Sequence, residues 1–472
     1  MLLIITQKLS MNVPVLLIPV ENQVRELDAK LLLSCLAARN HFSVIFGSKS
    51  EMENTMYRYP RGIYLAKSFA PQNLKMLRLI KGLGHTIVAW DEEGLIHYPP
   101  EVYWGRRITP AILPYVDHII AWGDDNVELL EGYRNPFPVP LHNLGNPRGD
   151  FLRPELRSYY SGHVQELRDQ YGHFILINSN FPSVNSFDPE LQLAQLDSAG
   201  ERLTLAKGSQ GMPEDFAKGR FAYKYRLFKA FQDMARELSA TFSDTTILIR
   251  PHPSESFTPW LELAKHSSNI IVKNEGNVLP WILASSVLIH NGCTTGVEGY
   301  ALGKPILMYQ PFPHEEFESN LPNQLSQPCM NLKELVEAIT RLKDHPPPLE
   351  AQSPRVRLGK YLAAMDGPLA SERIVELLSR VAHTSHSKGK NHLLYYRSFA
   401  KSWMRHRKKR NHQKKGTLRY SQAFQTQRFP DIHTADLQAK LGILKGILPF
   451  DNLLSITPIG KNMFKISESP EG

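Results

Sequence analysis

The chain has 472 residues, 42% hydrophobic and 21% charged, with a formal net charge of +9. That length suits two or three domains, and the composition is ordinary for a globular protein with real cores. Three widely spaced cysteines and no CxxC pair argue against a disulfide frame or a structural zinc site and point to a reducing compartment. No apolar run approaches the ~20 residues needed to cross a bilayer.

From the N-terminus, Gln7, Lys8 and Asn12 break the first apolar stretch, and no basic region precedes it. Residues 1–10 read as a dispensable leader, with Met11 as an alternative start. Val13–Val20 then reads as a buried strand and Val24–Ala38 as a helix with apolar spacing through Leu27, Leu31, Cys35 and Ala38. Glu21, Arg25 and Glu26 occupy the loop and helix start after that strand. They are candidate acceptor-side or cleft residues, or ordinary helix-start acids with an Arg partner. Short strands follow at Phe42–Phe46 and Gly62–Ala66, a glycine-ended helix at Gln72–Gly82, and strands at His85–Trp90 and Val116–Trp122. The pattern predicts a doubly wound α/β domain over residues 1–150. Its strand ending in WDEEG places Asp91, Glu92 and Glu93 together. Crowded carboxylates raise one another's pKa, which poises one as a general base; the alternative is a solvated turn.

Leu144–Arg157 is punctuated by Gly and Pro and is expected to carry the crossing into a second α/β domain, residues 151–382. His173–Ser179 is its first strand, and Asn178 and Asn180 after it are candidates for donor or acceptor contacts. Asp188–Asp215 lacks strand signals and reads as a helical or loop insertion. Three apolar runs, Ile247–Ile249, Ile270–Val272 and Val287–Ile289, each end in polar, small or charged residues. Buried parallel strands look like this, with ligand groups just past their carboxyl ends. The first run leads into Arg250, His252 and Glu255, where Pro251 and Pro253 stiffen the turn. The third leads into His290, Asn291, Gly292, Thr294 and Thr295 at an expected helix start. Free backbone N–H groups and hydroxyls there suit a phosphate. Glu298, in the first helical turns, is a candidate acceptor for ribose hydroxyls or a plain helix-start acid. Two tandem α/β domains with polar strand ends imply a cleft between them.

Residues 383–472 form the last segment. Twelve Lys or Arg and no Asp or Glu fall between His383 and Gln422, so subtracting them from +9 leaves about −3 for the rest of the chain. In Leu393–Arg410, Leu394, Tyr395, Phe399, Trp403 and Met404 fall near one helical face. That composition suits an anionic membrane surface, engaged through residues 393–415. No RNA-binding signature accompanies it, so nucleic acid is not expected. Phe429–Phe450 regains helical apolar spacing and is expected to fold back on the body.

The stretches Arg25–Leu27 (REL), Gly145–Asp150 (GNPRGD), RPHPSE, HNGCTTGVEGYALGKP and Gly367–Ile374 (GPLASERI) resemble bacterial surface-polysaccharide biosynthesis proteins of the two-domain GT-B glycosyltransferase fold, over about residues 11–380. A more distant likeness is to sialyltransferases and Kdo transferases that use CMP-activated sugars. It implies a general base in Glu92-Glu93-Gly94, a phosphate contact from His252 in His252-Pro253, and phosphate binding by Thr294-Thr295, with threonines where serines are usual. CDP-glycerol polymerases of the teichoic-acid type look similar too. The resemblance implies an inverting, metal-independent transfer from a nucleotide-sugar donor, with Glu93, Glu92 or Asp91 as base and His252 assisting phosphate departure. The acceptor would be a glycan or a lipid-linked species. No cofactor is expected, and the implied location is the cytoplasmic face of the inner membrane.

Overall fold

The computed structural model describes residues 13–196, 202–345, 357–385, 392–414, 429–448 and 454–469, and the side chains within them except those of 196, 385 and 410–414. The alternative start at Met11, the side chains of Arg410 and Lys414 and the basic residues Lys415 and Arg419 lie outside what is described. Chain contacts separate two compact units. The first comprises the described parts of Met1–Gly94, Arg107–Phe151 and Lys360–Gly472; the second comprises Leu95–Arg106 and those of Leu152–Gly359. This partition departs from the boundaries read from sequence at residues 95–106 and 360–382.

In the first unit, strands β1 (Val15–Val20), β2 (Ser43–Ser48), β3 (Ile63–Ala66), β4 (Thr86–Ala89), β5 (His118–Ala121) and β6 (Leu141–Asn143) pair in parallel in the order β2-β1-β3-β4-β5-β6. The direction of winding reverses between β2 and β3. Right-handed crossovers then place successive helices on opposite faces of the sheet. Gln23–Arg39 packs with Pro147–Asp150, Ala370–Ser385 and Thr434–Ile447, whereas Leu74–Gly82 packs with His392–Lys414. With both faces covered, every residue of β1 and β2 is buried. Each fully buried Leu or Ile contributes roughly 1.5–3 kcal/mol, so these layers outweigh the surface ion pairs, worth ~0–1 kcal/mol each. Gln23–Arg39 is buried all round, not on the single face its apolar spacing suggested, because the helices Ala370–Ser385 and Thr434–Ile447 also cover it.

The GNPRGD and GPLASERI stretches meet here. The Asp150 carboxylate accepts the Ala370 N–H at 2.7 Å, the Ser371 N–H at 3.0 Å and the Ser371 hydroxyl at 2.6 Å. Both motifs thus contribute to holding the returning chain in place.

The second unit contains β7 (Ile175–Asn178), β8 (Ala194–Leu196), β9 (Leu203–Leu205), β10 (Ile247–Arg250), β11 (Ile270–Val272), β12 (Val287–His290), β13 (Ile306–Tyr309) and β14 (Gln327–Cys329). Its main sheet is parallel, in the order β11-β10-β7-β12-β13-β14. Renumbered within the unit this is 3-2-1-4-5-6, the dinucleotide-fold order. The helices Glu214–Thr241, Thr258–Lys265 and Leu332–Asp344 form one layer, and Ser161–Tyr171, Val278–Ala284 and Thr294–Ala301 the other. Residues 188–215, expected without strands, contain the antiparallel pair β8-β9. Three-residue strands are too short for their alternation to show in sequence.

The chain then returns to the first sheet. Phe429–Phe450, read as helical, contains the helix Thr434–Ile447. Beyond it a hairpin of β15 (Leu454–Gly460) and β16 (Met463–Glu468) pairs antiparallel with the outer edge of β2. The expected class, α/β with two Rossmann-like doubly wound domains, is the one observed, with this hairpin as an addition. Among the described residues no helix is long and apolar enough to cross a membrane.

Candidate functional site

In open parallel sheets ligands bind beyond the carboxyl ends of the strands, where the strand order reverses. In the second unit that point lies between β7 and β12. Asn178, Arg250 and His290 are in register there, one at the end of each of three adjacent strands. The structure therefore brings the predicted groups of the second domain to one sheet edge, but it employs them differently.

Three are consumed by the fold. Glu255 is fully buried and accepts from the Ser179 hydroxyl at 3.0 Å, the Phe181 N–H at 2.9 Å, the His252 N–H at 3.2 Å and the Trp260 indole at 3.2 Å. Burial raises its pKa against these donors. It closes the RPHPSE turn and has no oxygen left over for a ribose. The Arg250 guanidinium donates to the carbonyls of Glu275, at 2.9 Å, and Gly276, and lies 5.3 Å from the Trp281 ring centroid. Burial lowers its pKa to about 9. Arg250 thus ties down the loop after β11, where a phosphate contact was expected. His290 accepts the Gly292 N–H on Nδ1 at 2.9 Å, which assigns its proton to Nε2, 2.8 Å from the Ser326 hydroxyl. Burial, with Lys224 adding to it, depresses its pKa to about 3, so the ring is neutral. A Cβ on Gly296 would lie 2.6 Å from His290 Nε2, so the helix start is fitted against the imidazole.

Others remain available. Both side-chain polar atoms of Asn178 are buried without a hydrogen-bond partner, as is Oδ1 of Asn291. Each such orphan costs about 1–3 kcal/mol, and native proteins leave few of them. Asn291 Nδ2 donates to the Asn180 carbonyl at 3.1 Å, which links the two strand ends. Thr294 and Thr295, both partly buried, open the helix Thr294–Ala301; Cys293 precedes it in extended conformation without a side-chain cap, its Sγ 2.8 Å from Thr295 Oγ1. Glu298 is buried within this helix. His252 Nδ1 accepts the Ser254 N–H at 3.2 Å, so its ring is oriented by its own turn.

Sequence reasoning missed Lys224. On Glu214–Thr241, Ala217, Phe221, Phe228, Phe231 and Ala235 form the buried stripe, and Lys224 sits in a slot of that stripe. Its Nζ donates to the Asn291 carbonyl at 3.2 Å, and burial, then Arg220, lowers its pKa to about 7. A lysine at an apolar helical position was the visible signal.

In the first unit the order reverses between β1 and β3. Glu21, Arg25 and the WDEEG carboxylates, read as separate sites, belong to one ionic network. The Glu26 carboxylate accepts the N–H groups of Glu21 and Asn22 at 3.0 and 3.1 Å, and pairs with Lys30 at 2.7 Å and Lys67 at 3.2 Å. Burial opposes its charge, but Lys30 and Lys67 outweigh that and hold its pKa at about 2. Glu21 pairs with Lys67 at 3.0 Å and Lys49 at 3.5 Å. Glu92 faces Lys30 at 3.3 Å, with Oε2 buried and unpartnered. Asp91 builds the turn: its carboxylate accepts the Glu93 N–H at 3.1 Å and faces Arg107 at 3.4 Å, and its carbonyl accepts the Trp122 indole N–H at 2.7 Å.

Arg25 donates to Glu93 at 2.9 Å. That guanidinium, joined by Arg107 and Lys67 against burial, holds the Glu93 carboxyl well below the usual range. The expected mutual raising of carboxylate pKa values is therefore not found at Glu93, because a cation faces it. Its side chain is nonetheless 43% exposed, against 3% for Asp91 and 5% for Glu92. The sequence signal overlooked was the polar stripe Glu26–Lys30–Ser34 inside an otherwise apolar helix.

No protein-family model matches the sequence, and no curated protein matches it. Among solved structures, the UDP-GlcNAc 2-epimerase of Methanocaldococcus jannaschii, in complex with UDP-GlcNAc and UDP, is similar at 11% identity and a TM-score of 0.47, over 78% of this chain and 99% of that one. The wall teichoic acid polymerase TagF is similar at 12% identity and a TM-score of 0.45, over 79% and 90%. The UDP-N-acetylglucosamine 2-epimerase from Rickettsia bellii gives 11% and 0.44, over 79% and 96%.

Proposed function

We propose that the protein transfers a group from a nucleotide-activated donor, and that the second unit holds the donor phosphate. The observation that carries this reading is the orphaned amide of Asn178 and the orphaned Oδ1 of Asn291 at the strand-order reversal, beside Lys224 and the start of Thr294–Ala301. An anion there would meet a cation, two hydroxyls and the N-terminus of the helix. The donor favoured by the motif resemblance is a CMP-linked sugar and the acceptor a glycan or lipid-linked species of a bacterial surface polysaccharide.

In this reading the acceptor oxygen bonds to the anomeric carbon as the bond from that carbon to the phosphate oxygen breaks, with inversion. The nucleotide leaves with the electron pair. Lys224, Thr294, Thr295 and the helix N-terminus receive its charge, and His252 assists. The acceptor proton passes to a carboxylate, for which the motif resemblance offers Asp91, Glu92 and Glu93. Glu93 takes that role because its side chain is the accessible one of the three. An acceptor hydroxyl displacing Arg25 would return its pKa toward the ordinary range, where a base works better.

A CDP-glycerol-type polyol-phosphate transfer remains the second reading, since the same phosphate groups would serve it. The test is turnover of CMP-sugar and CDP-glycerol donors by membrane extracts supplying acceptor. Glu93→Gln should lose at least ~100-fold in rate while nucleotide binding is kept. Unchanged turnover would remove Glu93 as base, and phosphate found in the product would favour polyol-phosphate transfer.

A further inference from the structure

A surface helix ordinarily turns its apolar stripe inward. His392–Lys414 does the reverse. Ser398 and Ser402 face the first unit at 5% and 0% exposure, while Leu393, Tyr396, Trp403 and Met404 are 64%, 66%, 42% and 54% exposed. At 100° per residue these four residues fall within one third of the helix circumference. Arg397, Lys401 and Lys408 run along one edge of this stripe and Arg407 lies within it, all exposed, and the helix contains no acidic residue.

The inverted orientation is fixed by specific contacts. A Cβ on Gly82 would lie 2.1 Å from Ser398 Oγ, so the two helices approach through a glycine and a serine. Lys409 donates to the Ser50 hydroxyl at 2.6 Å, Arg405 to Met76 Sδ at 3.1 Å, and the Arg61 guanidinium lies 4.9 Å from the Tyr395 ring centroid. Tyr395 therefore belongs to the inner side, contrary to the face read from sequence. The Tyr57 and Phe399 rings, 5.5 Å apart, add an edge-to-face contact. The helix is a seated platform whose outward face combines an apolar stripe with cations along one edge and Arg407 among the apolar side chains.

The geometry points to an anionic lipid surface as the occupant of this face. Apolar side chains enter the acyl boundary while Lys and Arg stay with the headgroups, the arrangement of helices that lie in a membrane interface. Charge selects this occupant over a second copy, since an identical cationic margin would repel its twin. The inference does not depend on the nucleotide reading of the second unit.

The experiment is flotation of the full chain with phosphatidylcholine vesicles containing phosphatidylglycerol, and with phosphatidylcholine alone. Binding is expected only to the former. Reversing these four charges (R397E, K401E, R407E, K408E) should weaken it at least ~30-fold, since each basic residue near an anionic surface contributes about fivefold. L393S with W403S and M404S should weaken it too, with the thermal midpoint of each variant unchanged as the folding control. Equal vesicle binding by wild type and variants overturns the proposal. So does tighter binding to single-stranded RNA than to vesicles, or a dimer on size exclusion that the three serine substitutions dissolve without touching vesicle binding.

Discussion

At the residue scale the decisive group is Lys224, a lysine held near neutrality by burial. Its depressed pKa means that between about 7 and its unfolded value near 10.4 the unfolded chain binds a proton that the folded chain does not. Its contribution to stability therefore rises with pH across that window. Anion binding runs the other way, because the charged amine is the form that attracts phosphate. Affinity for CMP should fall as pH rises above about 7, by up to ~10-fold per unit, and Lys224→Met should flatten the profile. Calorimetric titration across pH 6–9, roughly bracketing that pKa, reads both. A wild-type profile already flat would remove Lys224 from the site. Residues such as Asn178, Thr294 and Glu93 were legible as candidates because they stand just past apolar runs. The employment of Glu255, Arg250 and His290 was not, since a carboxylate collecting four donors looks in sequence like one awaiting a ligand.

At the scale of elements, most strands of both main sheets were legible because parallel strands buried on both faces are continuous apolar runs, whereas the short outer strands β6, β13 and β14 were not read as strands. Val287–Ile289 and Val13–Val20 fall within a residue or two of β12 and β1. The hairpin β15-β16 was not, because its pairing with β2 is a long-range contact and Pro458 obscures the alternation. The amphipathic helix was legible in composition but not in orientation. Which side a helix shows is decided by what it meets, here Gly82 beneath Ser398. Gly82→Val, which has no room at that contact, should unseat His392–Lys414. Limited proteolysis should then cut within that helix at least ~10-fold faster than in wild type, by the population of the opened state, with the second unit's fragments unchanged. Equal cutting rates would mean the helix is held elsewhere.

For the whole molecule, two separately cored units predict two unfolding events, and the return of residues 360–469 to the first sheet makes that unit depend on distant sequence. A chain ending at 448 would leave the edge of β2 without β16. Scanning calorimetry should then show the first unit melting several degrees lower, since ~1 kcal/mol is worth about 2–4 °C for a domain this size, with the second transition unmoved. A shared shift of both transitions would contradict the two-unit description. The near-neutral body and basic extension were visible in composition alone, whereas the discontinuity of both units was not, because segments 95–106 and 360–469 carry no local mark of the sheet they join.

The carboxyl-end edge of the β11-β10-β7-β12 sheet is proposed to bind a nucleotide through its phosphate. The most direct measurement is a thermal-shift panel of CMP, CDP, UDP, GDP and ADP on wild type, Asn178→Leu and Lys224→Met. A ligand at 100 times its dissociation constant stabilises by roughly 2.7 kcal/mol. The account predicts that at least one nucleotide, CMP foremost, raises the wild-type midpoint by several degrees and that both variants lose the effect. No shift with any nucleotide, or a shift that both variants keep, would contradict it.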